Sequence, residues 1–128
     1  METRLFSCIA RINNDLLLYN IEKLNRKCTV STRSQGGAFN FQPAPIIFSW
    51  CFKWEESNVK HEMTFEIWKG SKWVLRSEHN TEEKFDFANP LKGEFLFSYS
   101  FDTLDDMLYT IENTKEEFFK IFQKRINL

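Results

Sequence analysis

A chain of 128 residues, 42% hydrophobic and 27% charged, has the size and make-up of one globular domain, 1–128, able to close a single core without disulfide or metal staples. A formal charge of −1 shows no basic excess, which argues against nucleic acid or an anionic membrane surface as the main partner. With 14 Phe and 4 Trp against 4 Gly, the core must be built largely from rings.

In residues 3 to 26, Leu5, Ile9, Ile12, Leu16 and Tyr19 recur at helical spacing, and Leu17, Ile21 and Leu24 widen the stripe. The pattern predicts an amphipathic helix. Asn13, Asn14 and Asp15 are poor helix-interior residues and good caps, so the stretch also reads as a helix that breaks there and restarts at Leu16. The start, METRLFSCIARINNDLLLYN, has no basic segment leading into a continuous apolar run, and no stretch approaches the roughly 18 apolar residues of a membrane span. Neither export nor a membrane is expected.

From Cys28 the period changes to two. Val30 and Thr32, then Phe39 and Phe41 beyond the Gly36-Gly37 turn, predict two short paired strands, and Pro43 and Pro45 make the next segment a connection or a sheet edge. The stretch IIFSWCFKWEE, residues 46 to 56, places Phe48, Trp50, Phe52 and Trp54 on one face of a strand. In residues 59 to 69, Val59, His61, Met63, Phe65 and Ile67 share one face, opposite Lys60, Glu62, Thr64, Glu66 and Trp68. A two-residue Gly70-Ser71 turn would mix Arg76 into the apolar face. A three-residue loop, Trp68-Lys69-Gly70, keeps odd positions opposite odd and is expected to set Phe65 against Trp73 and Met63 against Leu75.

Phe85 and Phe87 lead to an Asn89-Pro90 turn, and Phe95, Phe97, Tyr99 and Phe101 then alternate as a second ring ladder. The last segment, capped by Asp102 or Thr103, repeats Leu104, Leu108, Ile111, Lys115, Phe118 and Phe122 at helical spacing, with acids in its first turn and bases in its last. Thr114 to Glu117 has capping-box form, so this helix also reads as two. The fold class is therefore α+β: an N-terminal helix, an antiparallel sheet of about five to seven strands, and a C-terminal helix, with the helices packed on one face of the sheet.

Cys8, Cys28 and Cys51 lack CxxC spacing and leave one unpaired in any disulfide scheme, which fits reduced thiols and a cytoplasmic location. His61 and His79 form no metal-ligand motif, so no metal or cofactor is expected. His61 reads as a hydrogen-bonded core residue and His79 as part of a polar turn, Glu78-His79-Asn80-Thr81. Cys51 with His61 is the one nucleophile–base pair that can be drawn, and strand parity puts the two on opposite faces. No phosphate-binding loop appears, and the basic stretch Lys23, Arg26, Lys27 and Arg33 reads as a solvated helix end. No catalytic residue is assigned.

Charge is unevenly spread. Residues 1 to 53 hold seven Lys/Arg and three Asp/Glu (7 − 3 = +4), and residues 54 to 128 hold ten and fifteen (10 − 15 = −5). Asp105, Asp106, Glu112 and Glu116 give the last helix an acidic flank, and Tyr109 and Trp68 fall off the apolar stripes, where exposed aromatics act as interface anchors. These six residues form the expected partner-binding set of a non-catalytic protein-binding module. Its most concrete form is an inhibitor, such as an immunity protein that docks a basic, nuclease-type partner. The alternative is a small-molecule binding or sequestering domain with an aromatic pocket under the helices, for which His61, Arg76 and Tyr99 would be the polar set. An unpaired edge strand leaves a homodimer open.

Overall fold

The computed structural model describes residues 3–22, 28–34, 46–83 and 92–126 of the chain. Its elements are α1 (Thr3–Glu22), β1 (Thr29–Ser34), β2 (Ile46–Glu56), β3 (Val59–Lys69), β4 (Trp73–Glu83), β5 (Lys92–Phe101) and α2 (Leu104–Ile126). The strands form one antiparallel sheet in the order β1-β2-β3-β4-β5, and the helices pack on it. Phe39, Phe41, Pro43, Pro45, Phe85, Phe87 and the Asn89-Pro90 turn lie outside the described residues.

The alternation of period two decides which side chains meet. Trp50 stands opposite Phe65, Phe52 opposite Met63 and Trp54 opposite His61, so the rings of β2 share a face with the odd positions of β3. The two-residue Ser57-Asn58 turn fixes this register, and both residues carry positive φ (51° and 66°), as the tight hairpin turn whose twist matches the strands requires. The β3–β4 hairpin keeps odd opposite odd, but its register differs from the expected one. Lys69 pairs with Trp73 and Ile67 with Leu75, so the loop is Gly70-Ser71-Lys72 and Phe65 meets Ser77 rather than Trp73. Trp68 and Lys69 carry on the strand. Gly70 is spent instead on a turn in which its N–H donates to the Lys72 carbonyl at 3.0 Å.

The ring-bearing face is the core. Trp50, Phe52, Phe65, Phe118 and Phe122 are fully buried, and each such side chain contributes roughly 2–3 kcal/mol. Phe52 lies 5.4 and 4.9 Å from Phe118 and Phe122, and Phe65 lies 5.6 Å from both Trp50 and Phe118, measured between ring centroids. From α1, Leu5, Ile9, Ile12 and Leu16 join the same cluster.

Both helices are continuous. α1 runs through Asn13 and Asp15 because each has a distant partner: the Trp50 indole N–H donates to Asn13 Oδ1 at 3.3 Å, and Lys115 Nζ donates to Asp15 Oδ2 at 2.8 Å. Tertiary hydrogen bonds thus override a local capping preference. Thr103 caps α2, accepting from the Asp106 N–H at 3.1 Å. Thr114 starts no new helix; its hydroxyl donates back to the Thr110 carbonyl at 3.2 Å. The helices lie side by side and parallel, as the order of their contacts shows: Arg4 with Asp105, Arg11 with Glu112, Asp15 with Lys115 and Tyr19 with Phe119.

A β-bulge in β5 splits the second ring ladder. Ser77 pairs with Phe97 but Glu78 with Phe95, so Leu96 is the extra residue and the faces exchange there. Phe97, Tyr99 and Phe101 keep to the helix-covered face. Phe95 moves to the opposite face and is 66% exposed, whereas alternation alone would have placed all four together.

Candidate functional site

The acidic flank of α2 is real in sequence and partly neutralised in space. Asp105 pairs with Arg4, and Glu112 pairs with Arg11 at 2.9 Å and with Lys115 at 2.8 Å. Lys115 is 6% exposed although it carries a full charge. Burial pushes its ammonium down, but hydrogen bonds to Asp15 and Glu112 more than offset this and hold it above its ordinary value. Glu112 is held low, first by the hydrogen bond from Lys115. Lys115 occupies a place in the apolar stripe of α2 because two carboxylates meet it there.

Tyr109 is 89% exposed, the most open of the exposed large hydrophobic residues. On a helix its neighbours three or four residues away are Asp105, Asp106, Glu112 and Asn113. Glu116 follows one turn on, with its side chain 64% exposed. The side chains of Asp106 and Tyr109 make no hydrogen bond or ion pair among the described residues. Five of the six expected partner-binding residues therefore lie on α2, two of them already holding cations of α1. Trp68 is not with them.

Trp68 lies on the sheet face away from the helices, in register with Val74. There the Arg76 guanidinium sits between two rings, 5.1 Å from Trp68 and 4.4 Å from Phe95, and pairs with Glu78. Glu66, buried beside it, accepts from the Trp68 indole N–H at 3.3 Å, and burial raises its carboxyl above the usual range. The stack exists only because the bulge turns Phe95 outward, and nothing in the alternation of KGEFLFSYSF signals it.

The alternative ligand set does not converge. His61 and Tyr99 are on the helix-covered face of β3 and β5, and Arg76 is on the other. The Tyr99 hydroxyl is engaged, donating to the Glu117 carboxylate at 2.9 and 3.0 Å. A cleft of about 550 Å³ exists at the β2–β3 hairpin end, but most of its wall, including Lys53, Glu55, Lys60, Glu62 and Glu82, belongs to the face away from the helices. Those charges alternate across neighbouring strands, Lys53 beside Glu62 and Lys60 between Glu55 and Glu82.

His79 is not in a turn. It lies on β4, 8% exposed, with its Nε2 2.9 Å from His61 Nδ1. Arg125 Nη1 donates to His79 Nδ1 at 3.0 Å and also holds Glu94 through two bonds of 2.6 and 3.1 Å. Trp54 stacks on His61, ring centroids 4.8 Å apart and planes at 4°. The bulge serves this cluster too, since it brings Glu94 onto the helix-covered face opposite His79. Cys51 faces the other way, opposite Thr64, so it forms no dyad with His61. Burial pushes its thiol up to about 12, the chemistry of an inert cysteine. Among the described residues no group of His, Cys, Asp and Glu could hold a metal ion. Among the described residues no helix is long and apolar enough to cross a membrane.

Comparisons with protein families, with characterised proteins and with solved structures find no match to this chain.

Proposed function

We propose that this chain is a non-catalytic protein-binding module that docks a basic partner through the solvent face of α2, with Tyr109 as its anchor. The observation that carries this reading is the 89% exposure of a tyrosine set among Asp105, Asp106 and Glu112. An exposed ring on a rigid helix costs little conformational entropy to bury, and a surrounding acidic rim steers a basic surface toward it. Asp106 carries most of that steering, because Asp105 and Glu112 already share their charge with Arg4 and Arg11, and Glu116, though exposed, stands 3.9 Å from Lys115. An inhibitor is the concrete form: by functional analogy, an immunity protein of this kind would cover the basic substrate channel of a nuclease-type enzyme.

The test starts with affinity purification of the chain from its native cells, followed by affinity measurements on the recovered partner. Tyr109→Ala is expected to weaken the complex by about tenfold or more, the scale of an interface anchor. Reversing Asp106 and Glu116 to lysine is expected to slow association and to remove most of its salt dependence, with only the small fall in melting temperature that losing an acid from the first turn of α2 brings. Unchanged binding by all three variants would sink the proposal.

A further inference from the structure

The chain Glu94, Arg125, His79, His61 has a direction set by its donors. An arginine side chain only donates, so His79 Nδ1 must accept from Arg125 and the single proton of the neutral ring sits on Nε2. That Nε2–H lies 2.9 Å from His61 Nδ1 and donates to it, which leaves the proton of His61 on its own Nε2. Both imidazoles are neutral, and each tautomer is dictated by the neighbour one step back toward Arg125. The arrangement cannot take up a proton intact. A proton on His79 Nδ1 would put an N–H and a positive charge against the arginine, and a proton on His61 Nδ1 would set two N–H groups against each other.

We propose that this chain of hydrogen bonds is an acid-released latch, fastening the last turn of α2 and the first part of β5 to the end of the sheet while both imidazoles are neutral and loosening when either is protonated. The groups that face His79 come from four elements: His61 from β3, Arg125 from α2, Glu94 from β5 and the uncharged Trp54 ring from β2. Glu94 favours a charged His79 and Glu56 a charged His61, but both are outweighed. Burial, then Arg125, then His61 push His79 down to about 4, and burial lowers His61. Glu94 is itself held low by its hydrogen bonds from Arg125, so the arginine–carboxylate pair survives mild acid and the contact that parts is the one between arginine and imidazole. Phe122, one turn back, is fully buried in the core, so the opening is confined to the last turn.

The test is a histidine and amide-exchange titration of the full chain by NMR between about pH 7.5 and 3.5, the interval set by the ordinary and lowered histidine values. His61 and His79 are expected to titrate below the ordinary 6.5, and the protection factors of residues 123–126 to fall about tenfold or more in the same interval. His79→Gln keeps an acceptor for Arg125 and a donor for His61 on a group that does not titrate, so it is expected to hold its protection through that interval. Arg125→Met removes the donor and its charge from a partly exposed site, and is expected to move the His79 midpoint upward. The latch is overturned by a His79 midpoint at or above 6.5 in the unaltered chain, by unchanged protection while His79 titrates, or by a His79 midpoint that Arg125→Met leaves where it was.

Discussion

Lys115 and Arg125 both carry a positive charge from α2 into partly buried surroundings, yet the two regions use opposite chemistry. Around Lys115 every partner is ionised, with Asp15 and Glu112 supplying two carboxylates at 2.8 Å. Around Arg125 the inward partner is the neutral imidazole of His79, backed by that of His61, and the one carboxylate, Glu94, stands at the exposed end. The first arrangement tolerates protons over the neutral range and fails when a member is removed. The second tolerates some loss of its members and fails when a proton arrives. A buried ion pair and a buried neutral chain therefore protect the same helix against different insults.

The substitution expected to cost most strikes both regions at once. Phe122 lies against Trp54 beside the histidines and against Tyr19 in the helix interface, ring centroids 5.4 and 6.3 Å away, and is fully buried. Phe122→Ala is expected to cost about 4 kcal/mol in urea denaturation. Acid separates the regions. An unfolded histidine takes up a proton near 6.5 and folded His79 only near 4, so between these values the unfolded chain binds more protons. That stabilisation is complete above about 6.5 and is lost progressively as pH falls toward 4. It amounts to about 3 kcal/mol, visible as the difference between the unaltered chain and His79→Gln in paired denaturation curves.

Lys115→Ala strikes the other region alone. It leaves two carboxylates without their cation, but their side chains are 40% and 43% exposed and water reaches them, so about 2 kcal/mol is expected. The loss should be equal at about pH 6 and pH 8, since Glu112 is held below its ordinary value and Lys115 above its own; a loss that changed across this range would erase the contrast. The smallest effect is expected from Asn13→Ala, which removes the acceptor of the buried Trp50 indole and costs about 1 kcal/mol by thermal melting.

Much of the fold was legible because periodicity reports which face a residue occupies. The ring ladder of β2, the capped stripe of α2 and the Leu5, Ile9, Ile12 and Leu16 stripe of α1 landed where their spacing placed them, whereas Leu17, read as widening that stripe, is 46% exposed. Periodicity does not report register. The β3–β4 loop slid from Trp68-Lys69-Gly70 to Gly70-Ser71-Lys72 without changing parity, so an alternation rule could not detect the error. Nor does it report a bulge: Leu96 sits between two phenylalanines, and the run of rings continues through the residue where the faces exchange. The histidine cluster was hidden because Glu78-His79-Asn80-Thr81 reads as a polar turn rather than as strand, because Glu94 joins only by way of the bulge, and because Arg125 reads in sequence as one more base in a helix's last turn. The acids of α2 were visible as a charge pattern. Their cations were not, because Arg4 and Arg11 belong to a helix whose orientation no local pattern encodes.

That parallel pairing of α1 and α2 also has a kinetic consequence. The residues joined across it are 100 or 101 positions apart in sequence, so the interface closes only after nearly the whole chain has been gathered, and such distant contacts form late in folding. During synthesis, α1 emerges long before the helix it will lie against. Interactions absent from the transition state leave the folding rate almost untouched and act on unfolding instead. The ion pairs between the two helices are thus expected to govern how quickly the protein comes apart rather than how quickly it forms.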